Sequence, residues 1–103
     1  MEDITVTELF NRISNGEQLH IIDVREQFEY NEFNIGAELI PLGTLPDHLQ
    51  DLNKWKNEEI IIHCKSGMRS ANAKAFLAMN GFAKVRNVIG GMLAWQQNGY
   101  IGK

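Results

Sequence analysis

The chain is poor in cysteine and proline, with one cysteine, Cys64, and two prolines among its 103 residues. A single cysteine cannot form an internal disulfide, and no cysteine–histidine pair has the spacing of a zinc site. The fold must therefore form without disulfides or structural zinc. Cys64 is left with two roles, an inert residue of the core or a chemically active thiol.

Long apolar runs and targeting signals are also lacking. No apolar run approaches the roughly 18 residues that a membrane-spanning helix needs. The first ten residues, MEDITVTELF, do not combine a basic start with an apolar stretch, so we expect no secretory signal there. A cytoplasmic location is the resulting expectation, and in that compartment a lone thiol stays reduced.

Excess positive charge is missing as well. Ten Lys and Arg residues against thirteen Asp and Glu residues give a formal net charge of −3. This balance argues against general binding of nucleic acid or an anionic membrane, although it allows a small local basic site. With 44% hydrophobic and 22% charged residues and no repeat or Gly/Ser-rich linker, residues 1–103 are expected to form one globular domain.

Short apolar runs alternate with helical patterns along the first half of the chain. Thr7 is predicted to cap a helix whose apolar face holds Leu9, Phe10 and Ile13 and which stops at Asn15-Gly16. Further elements are predicted from local patterns: a strand at 20–24, a short charged segment at 25–31, a weaker strand at 37–42 and a short helix at 46–52.

The second half gives clearer patterns. Residues 59–64 form the strongest strand pattern, followed by a helix from Met68 or Arg69 to Asn80, with Ala71, Ala75, Ala78 and Met79 on one face. A strand at 84–88 and a helix at 92–98 complete the series. Alternating strands and helices with continuous apolar strands predict an α/β fold with a mainly parallel sheet covered on both faces.

Cys64 ends the strongest strand, at the sheet edge where α/β proteins bind ligands. The backbone N–H groups of the following loop can curl around an anion, and Gly67 suits a tight turn. These amides, with Lys65 and Arg69, favour a thiolate, and Ser66 and Ser70 add hydroxyl donors. The sequence therefore favours a reactive thiol at Cys64 over an inert one.

The loop and three further segments resemble the rhodanese family of thiosulfate and persulfide sulfurtransferases. The loop is Cys64-Lys65-Ser66-Gly67-Met68-Arg69-Ser70, and the other segments are Ile22-Asp23-Val24-Arg25-Glu26, Asn34–Ala37 with Ile40-Pro41-Leu42, and Gly90-Gly91-Met92-Leu93-Ala94-Trp95. Together they cover nearly the whole chain in the family's order. The resemblance implies a three-layer α/β/α fold with a central sheet of about five strands.

The resemblance also implies a mechanism. Cys64 is the nucleophile, and it takes the outer sulfur of a small anionic donor such as thiosulfate to become a persulfide, with no cofactor. The residues Lys65, Ser66, Gly67, Met68, Arg69 and Ser70 bind the donor or the persulfide, and the sulfur passes to cyanide, a thiol or a protein sulfur carrier. Nucleic acid and membrane are not expected partners.

Several residues near the loop remain open to two interpretations. Asp23 and Arg25 end a neighbouring strand and either support the loop or have a purely structural role. His63 is expected to face away from Cys64, because neighbouring strand residues point to opposite faces. Glu32, Glu38 and Asp47 are acidic residues that we expect near the substrate entrance.

Two other functions stay in competition with sulfur transfer. Four residues separate Cys64 from Arg69. The resemblance implies that this spacing encloses one sulfur atom, whereas the cysteine phosphatases of this fold have one more residue and hold a phosphate. A phosphatase is therefore the second candidate. A non-catalytic interaction module is the third, although such modules usually lack the cysteine that is present here.

Overall fold

A computed structural model describes residues 1–103. The strands are β1 (His20–Asp23), β2 (Glu38–Leu39), β3 (Ile60–His63) and β4 (Val85–Asn87). The helices are α1 (Val6–Ser14), α2 (Gln27–Glu32), α3 (Leu49–Leu52), α4 (Met68–Met79) and α5 (Gly91–Gln97), with 3₁₀ helices at Leu42–His48 and Asn53–Trp55. No helix combines the length and the apolar content needed to cross a membrane.

The strands form one parallel sheet in the order β2-β1-β3-β4. The expected α/β class and parallel pairing are confirmed. The sheet has four strands instead of the expected five or so, because the first segment of the chain pairs only through an isolated bridge between Ile4 and Val88. This segment lies beside β4 but does not extend into a strand of its own.

Two apolar clusters cover the two faces of the sheet, which gives the expected three layers. On one face, α1 and α5 pack against Ile61 through Leu9 and Trp95. On the other face, α4 and the 42–55 helical segment pack against Ile62 and neighbouring sheet residues. The side chains of β3 therefore alternate between two separate cores, and all four are buried.

Helix α4 matches its predicted range and ends as predicted. Gly81 has a φ of +90° and follows the helix, its N–H bonding Ala78 at 3.1 Å, while the Phe82 N–H bonds Leu77 at 3.0 Å. This pair of hydrogen bonds is a Schellman motif, and Phe82 packs in the core behind it. The end of α4 can thus be predicted from two adjacent residues, Gly81 and Phe82.

The predicted apolar face of α4 is wrong. Residues Ala71, Ala75, Ala78 and Met79 are all exposed, and the buried residues are Ser70, Ala73 and Leu77. Because alanine occurs around most of the helix, the apolar pattern does not single out one side. Contacts with β3 and β4 select the face instead.

Two other predicted elements shift in the structure. The cap of α1 is Thr5 and not Thr7, since the Thr5 hydroxyl accepts a hydrogen bond from the Glu8 N–H at 3.1 Å. The weak strand at 37–42 shortens to the two residues of β2, because the chain turns into the 3₁₀ helix at Leu42 after Pro41.

Candidate active site

The sulfur of Cys64 lies inside the loop that joins β3 to α4. Gly67 has a φ of +110° and turns its N–H back towards the Cys64 Sγ at 3.1 Å. The Ser70 hydroxyl lies 3.3 Å from the same atom. The residue is 1% exposed, so the sulfur is enclosed by its own loop. This arrangement has the form of a nest for an anionic sulfur.

Hydrogen bonds in the loop lower the pKa of the Cys64 thiol. Burial alone would raise this pKa, because the thiolate is poorly solvated inside the protein. The Ser70 hydroxyl and the backbone N–H groups of Ser70, Gly67 and Ser66 together outweigh burial and bring the pKa below its ordinary value. The loop therefore favours the nucleophilic form of the cysteine.

Asn87, the last residue of β4, supports the loop from the neighbouring strand. Its amide Nδ2 donates to the Gly67 carbonyl at 3.1 Å, and its Oδ1 accepts from the Ser70 hydroxyl at 2.6 Å. The sequence reasoning missed Asn87. A polar residue ending a predicted strand at the sheet edge that also holds Cys64 is the signal that would have found it.

The start of α5 closes the loop from the other side. The N–H groups of Met92 and Leu93 donate to the carbonyls of Cys64 and Lys65 at 3.0 and 2.9 Å. Gly91 has a φ of +57°, and a Cβ there would lie 2.5 Å from the Cys64 carbonyl oxygen. Glycine at this position therefore permits the close contact between α5 and the loop.

Arg69 does not turn towards the sulfur. Its guanidinium makes a bidentate ion pair with Glu29 of α2, with distances of 2.7 and 2.9 Å. Lys65 is exposed and makes no salt bridge, and Met68 is 78% exposed. Of the predicted loop residues, the structure brings Ser66, Gly67 and Ser70 to the sulfur and leaves Lys65, Met68 and Arg69 around it.

Asp23 and Arg25 form a buried ion pair at the end of β1. The Arg25 guanidinium donates to both carboxylate oxygens of Asp23, with the shortest distance 2.8 Å, and to the Phe33 carbonyl at 2.6 Å. None of the hydrogen bonds of either side chain reaches the Cys64 loop. The pair ties the end of β1 to the end of α2, so neither side chain supports the loop by direct contact.

His63 points to the face of the sheet opposite Cys64, as predicted. Its ring is fully buried, its two nitrogens have no hydrogen-bond partner, and its Nε2 lies 3.7 Å from the Asp23 carboxylate. Burial lowers the pKa of His63 to about 4, against the opposing attraction of Asp23. The ring is therefore neutral near pH 7 and is not a base for Cys64.

A cavity of about 350 Å³ opens beside the loop. Lys65, Arg25, Glu29 and Glu32 supply its charges, and Phe28 and Leu93 are among its apolar residues. Of the three acidic residues expected near the substrate entrance, Glu32 lines this cavity, whereas Glu38 and Asp47 do not. The site combines an enclosed sulfur with an adjacent open pocket of mixed charge.

Comparison with known proteins agrees with this geometry. The family model described as Rhodanese-like domain matches residues 5–98. The chain is 39% identical over 97 residues to YtwF of Bacillus subtilis (strain 168), which carries a sulfurtransferase name, covering 93% of this chain and 91% of YtwF. It is also 39% identical over 94 residues to YrkF of the same organism, which carries a sulfur-carrier name, covering 90% of this chain and 50% of YrkF.

A solved structure also resembles this chain in fold and sequence. The crystal structure of a rhodanese-like domain protein from Staphylococcus aureus superimposes with a TM-score of 0.83 and 42% sequence identity, covering 92% of this chain and 91% of that one.

Proposed function

The chain belongs to the rhodanese-like domain family, and from this premise we propose that it is a sulfurtransferase that carries sulfur as a persulfide on Cys64. The observation that supports this most directly is the enclosed sulfur, held 3.1 Å from the Gly67 N–H and 3.3 Å from the Ser70 hydroxyl. Such donors stabilise a thiolate before reaction and an anionic sulfur after it.

In the first step the Cys64 thiolate attacks the outer sulfur of the donor. With thiosulfate, a bond forms between Sγ and the outer sulfur, the sulfur–sulfur bond of the donor breaks, and its electron pair leaves with sulfite. The products, a Cys64 persulfide anion and a sulfite dianion, balance the charge of the thiolate and the thiosulfate dianion. A persulfide donor reacts in the same way and releases its thiolate.

In the second step an acceptor attacks the outer sulfur of the persulfide. Cyanide leaves as thiocyanate, a thiol leaves as a persulfide, and Cys64 returns as the thiolate. The chain has no second cysteine to displace the sulfur internally, so the acceptor is an external molecule. A protein sulfur carrier is a further candidate, in keeping with the sulfur-carrier name of YrkF.

The persulfide itself carries the sulfur, so we propose no cofactor, and residues 1–103 act together as one domain. Lys65 is exposed at the cavity and makes no salt bridge, which supports a role in attracting an anionic donor. The resemblance to the family implies that the four-residue spacing between Cys64 and Arg69 encloses a single sulfur atom and not a phosphate, which supports sulfur transfer over phosphatase activity. A reducing, cytoplasmic setting fits a mechanism that depends on a free thiol.

Intact-mass spectrometry of the reduced protein after thiosulfate treatment tests the proposal. We expect the mass to rise by one sulfur atom and to return to its starting value on addition of cyanide, with formation of thiocyanate. The Cys64→Ser variant, which keeps a similar shape but lacks the thiol, should gain no sulfur. If neither thiosulfate nor an alkyl persulfide loads the wild-type protein, the proposed function is wrong.

A further inference from the structure

We propose that Glu29 is a specificity-determining residue that disfavours dianionic sulfur donors and favours monoanionic ones such as persulfides. The inference rests on the proposed function, and it concerns which donor the Cys64 loop selects. It is carried by the ion pair between Glu29 and Arg69 and by the balance of charge around the loop.

The pair removes the free positive charge that the loop would otherwise offer. Both terminal nitrogens of Arg69 are used by the two oxygens of Glu29, at 2.7 and 2.9 Å. The Glu29 side chain is largely buried and lines the cavity beside Lys65. An incoming anion therefore meets a neutral pair at this position and not a free guanidinium.

Glu29 is held in place from its own helix as well. One of its oxygens accepts the Glu26 N–H at 3.0 Å, which caps the start of α2. The Arg69 hydrogen bonds, opposed by partial burial, hold the pKa of Glu29 at about 2. The carboxylate thus keeps its negative charge near neutral pH.

The remaining charges do not restore a positive entrance. Arg25 is paired with the buried Asp23, and Lys65 is the cation without a salt bridge. Against these stand two further carboxylates, Glu32 on the cavity wall and Glu26 close enough to act on Arg69. The cavity lining itself holds two cations, Arg25 and Lys65, and two carboxylates, Glu29 and Glu32. With the groups bonded to these residues, Asp23, Arg69 and Glu26, the surroundings hold three cations and four carboxylates before the thiolate is counted.

Charge repulsion at such an entrance depends on the charge of the donor. Thiosulfate carries two negative charges, whereas a persulfide anion or the methanethiosulfonate anion carries one. All three donors transfer their outer sulfur to the Cys64 thiolate by breaking a sulfur–sulfur bond. Methanethiosulfonate then releases methanesulfinate. A change in the charge of Glu29 should therefore alter the rate with thiosulfate more than the rate with methanethiosulfonate.

The test compares persulfide loading of the full chain by sodium thiosulfate and by sodium methanethiosulfonate, followed as mass gain over time at low ionic strength. Glu29→Gln keeps an oxygen acceptor for Arg69 and for the Glu26 N–H while removing the charge. We expect the ratio of the thiosulfate rate constant to the methanethiosulfonate rate constant to rise about three- to tenfold.

Two further variants separate charge from structure. In the double variant Glu29→Gln/Arg69→Gln the pair is neutral again, so the ratio should return close to the wild-type value. Glu58→Gln removes the same charge at the other end of strand β3 from Cys64, and it should leave the ratio unchanged.

A ratio that stays constant or falls in Glu29→Gln overturns the inference, and equal loss with both donors would identify Glu29 as a purely structural residue. These results leave the proposed function intact as long as the wild-type protein loads sulfur. Failure of the wild-type protein to load from either donor would instead overturn the proposed function itself.

Discussion

The Ser70 hydroxyl has one proton and three acceptors within reach. Asn87 Oδ1 lies at 2.6 Å, the Gly67 carbonyl at 3.2 Å and the Cys64 Sγ at 3.3 Å. The short distance shows that Asn87 takes most of this hydrogen bond in the present arrangement. When Cys64 ionises, the sulfur becomes a stronger acceptor and competes for the same proton. Ionisation of Cys64 should therefore weaken the hydrogen bond between Ser70 and Asn87 of β4.

Replacing Ser70 by alanine should raise the pKa of Cys64. The hydroxyl contributes most among the groups that lower this pKa, and its loss leaves the backbone N–H groups alone against burial. The thiolate ultraviolet absorbance, recorded against pH with Cys64→Ser as the baseline, measures the shift. Ser66→Ala is the matched control, since Ser66 acts through its backbone N–H and its pKa effect should survive the substitution. Equal titration curves for both variants would contradict the role of the Ser70 hydroxyl.

Helix α5 fixes the junction between β3 and the loop through its backbone. Two of its N–H groups bond the carbonyls of Cys64 and Lys65. These bonds satisfy helix-terminal donors and loop acceptors together. Close approach is required for them, and the Gly91 position leaves no room for a side chain. The position of the loop therefore depends on a helix that contributes no side chain to the sulfur.

A Gly91→Ala substitution should displace α5 from the loop and reduce both stability and sulfur loading. The new Cβ would meet backbone atoms of Cys64 and Lys65 at 2.5 to 2.7 Å, in addition to the strain of a positive φ. We expect a loss of about 3 kcal/mol in the free energy of unfolding, measured with urea.

Gly99→Ala provides the comparison. Gly99 also has a positive φ, +75°, but no atom lies within 4 Å of the point that an added Cβ would occupy. Strain alone should cost about 1 to 2 kcal/mol there, with sulfur loading retained. If the two variants lose equal stability and load sulfur equally, the close contact at Gly91 is not what positions the loop.

Several elements made by local sequence were predicted well, whereas contacts between distant segments were not. The β3–loop–α4 unit follows from an apolar run, a glycine and a capped helix that are adjacent in the chain. The buried face of α4 was missed because it is chosen by packing on the sheet, and alanine fits either side. The pairing of Arg69 with Glu29 joins residues 40 positions apart, so nothing in the local pattern indicated it.

The site residues divide in the same way. The thiol, the turn at Gly67 and the hydroxyl of Ser70 could be read from one short loop. Asn87 enters from a neighbouring strand, and its contact with Gly67 depends on the order of the strands in the sheet. The parallel class of the sheet was predictable, but the side-chain contacts that its strand order produces were not.

For the molecule as a whole, the sheet holds one buried base without a hydrogen-bond partner. His63 lies between the strands and the α1–α5 layer, next to the buried pair of Asp23 and Arg25. Burial lowers its pKa most strongly, Asp23 acts in the opposite direction, and Arg25 adds to the lowering. In the unfolded chain the ring regains an ordinary pKa near 6.5. The folded state therefore favours the neutral form of His63.

This difference predicts a loss of stability in mild acid. Between pH 6.5 and about pH 4 the unfolded state binds one more proton at His63 than the folded state does, so the free energy of unfolding falls as the pH falls. Over this pH range, His63 alone should lower the free energy of unfolding by about 3 kcal/mol. Urea unfolding over this pH range measures it.

The His63→Leu variant should lose this part of the pH dependence, because leucine fills a similar volume and does not titrate. His48→Gln removes a partly exposed histidine on the surface and should behave like the wild-type protein. If His63→Leu retains the wild-type slope between pH 4 and pH 6.5, other groups must account for the acid sensitivity.

The loop around Cys64 has two separate effects: it activates the sulfur, and it limits access to the sulfur. The loop amides favour the thiolate, yet the residue is only 1% exposed while Met68 beside it is 78% exposed. A reagent that must bring a bulky group to the sulfur meets steric resistance, whereas a donor with a terminal sulfur presents a single atom. We therefore expect the site to select partners by the width of the reacting end and to protect the thiol from wide electrophiles.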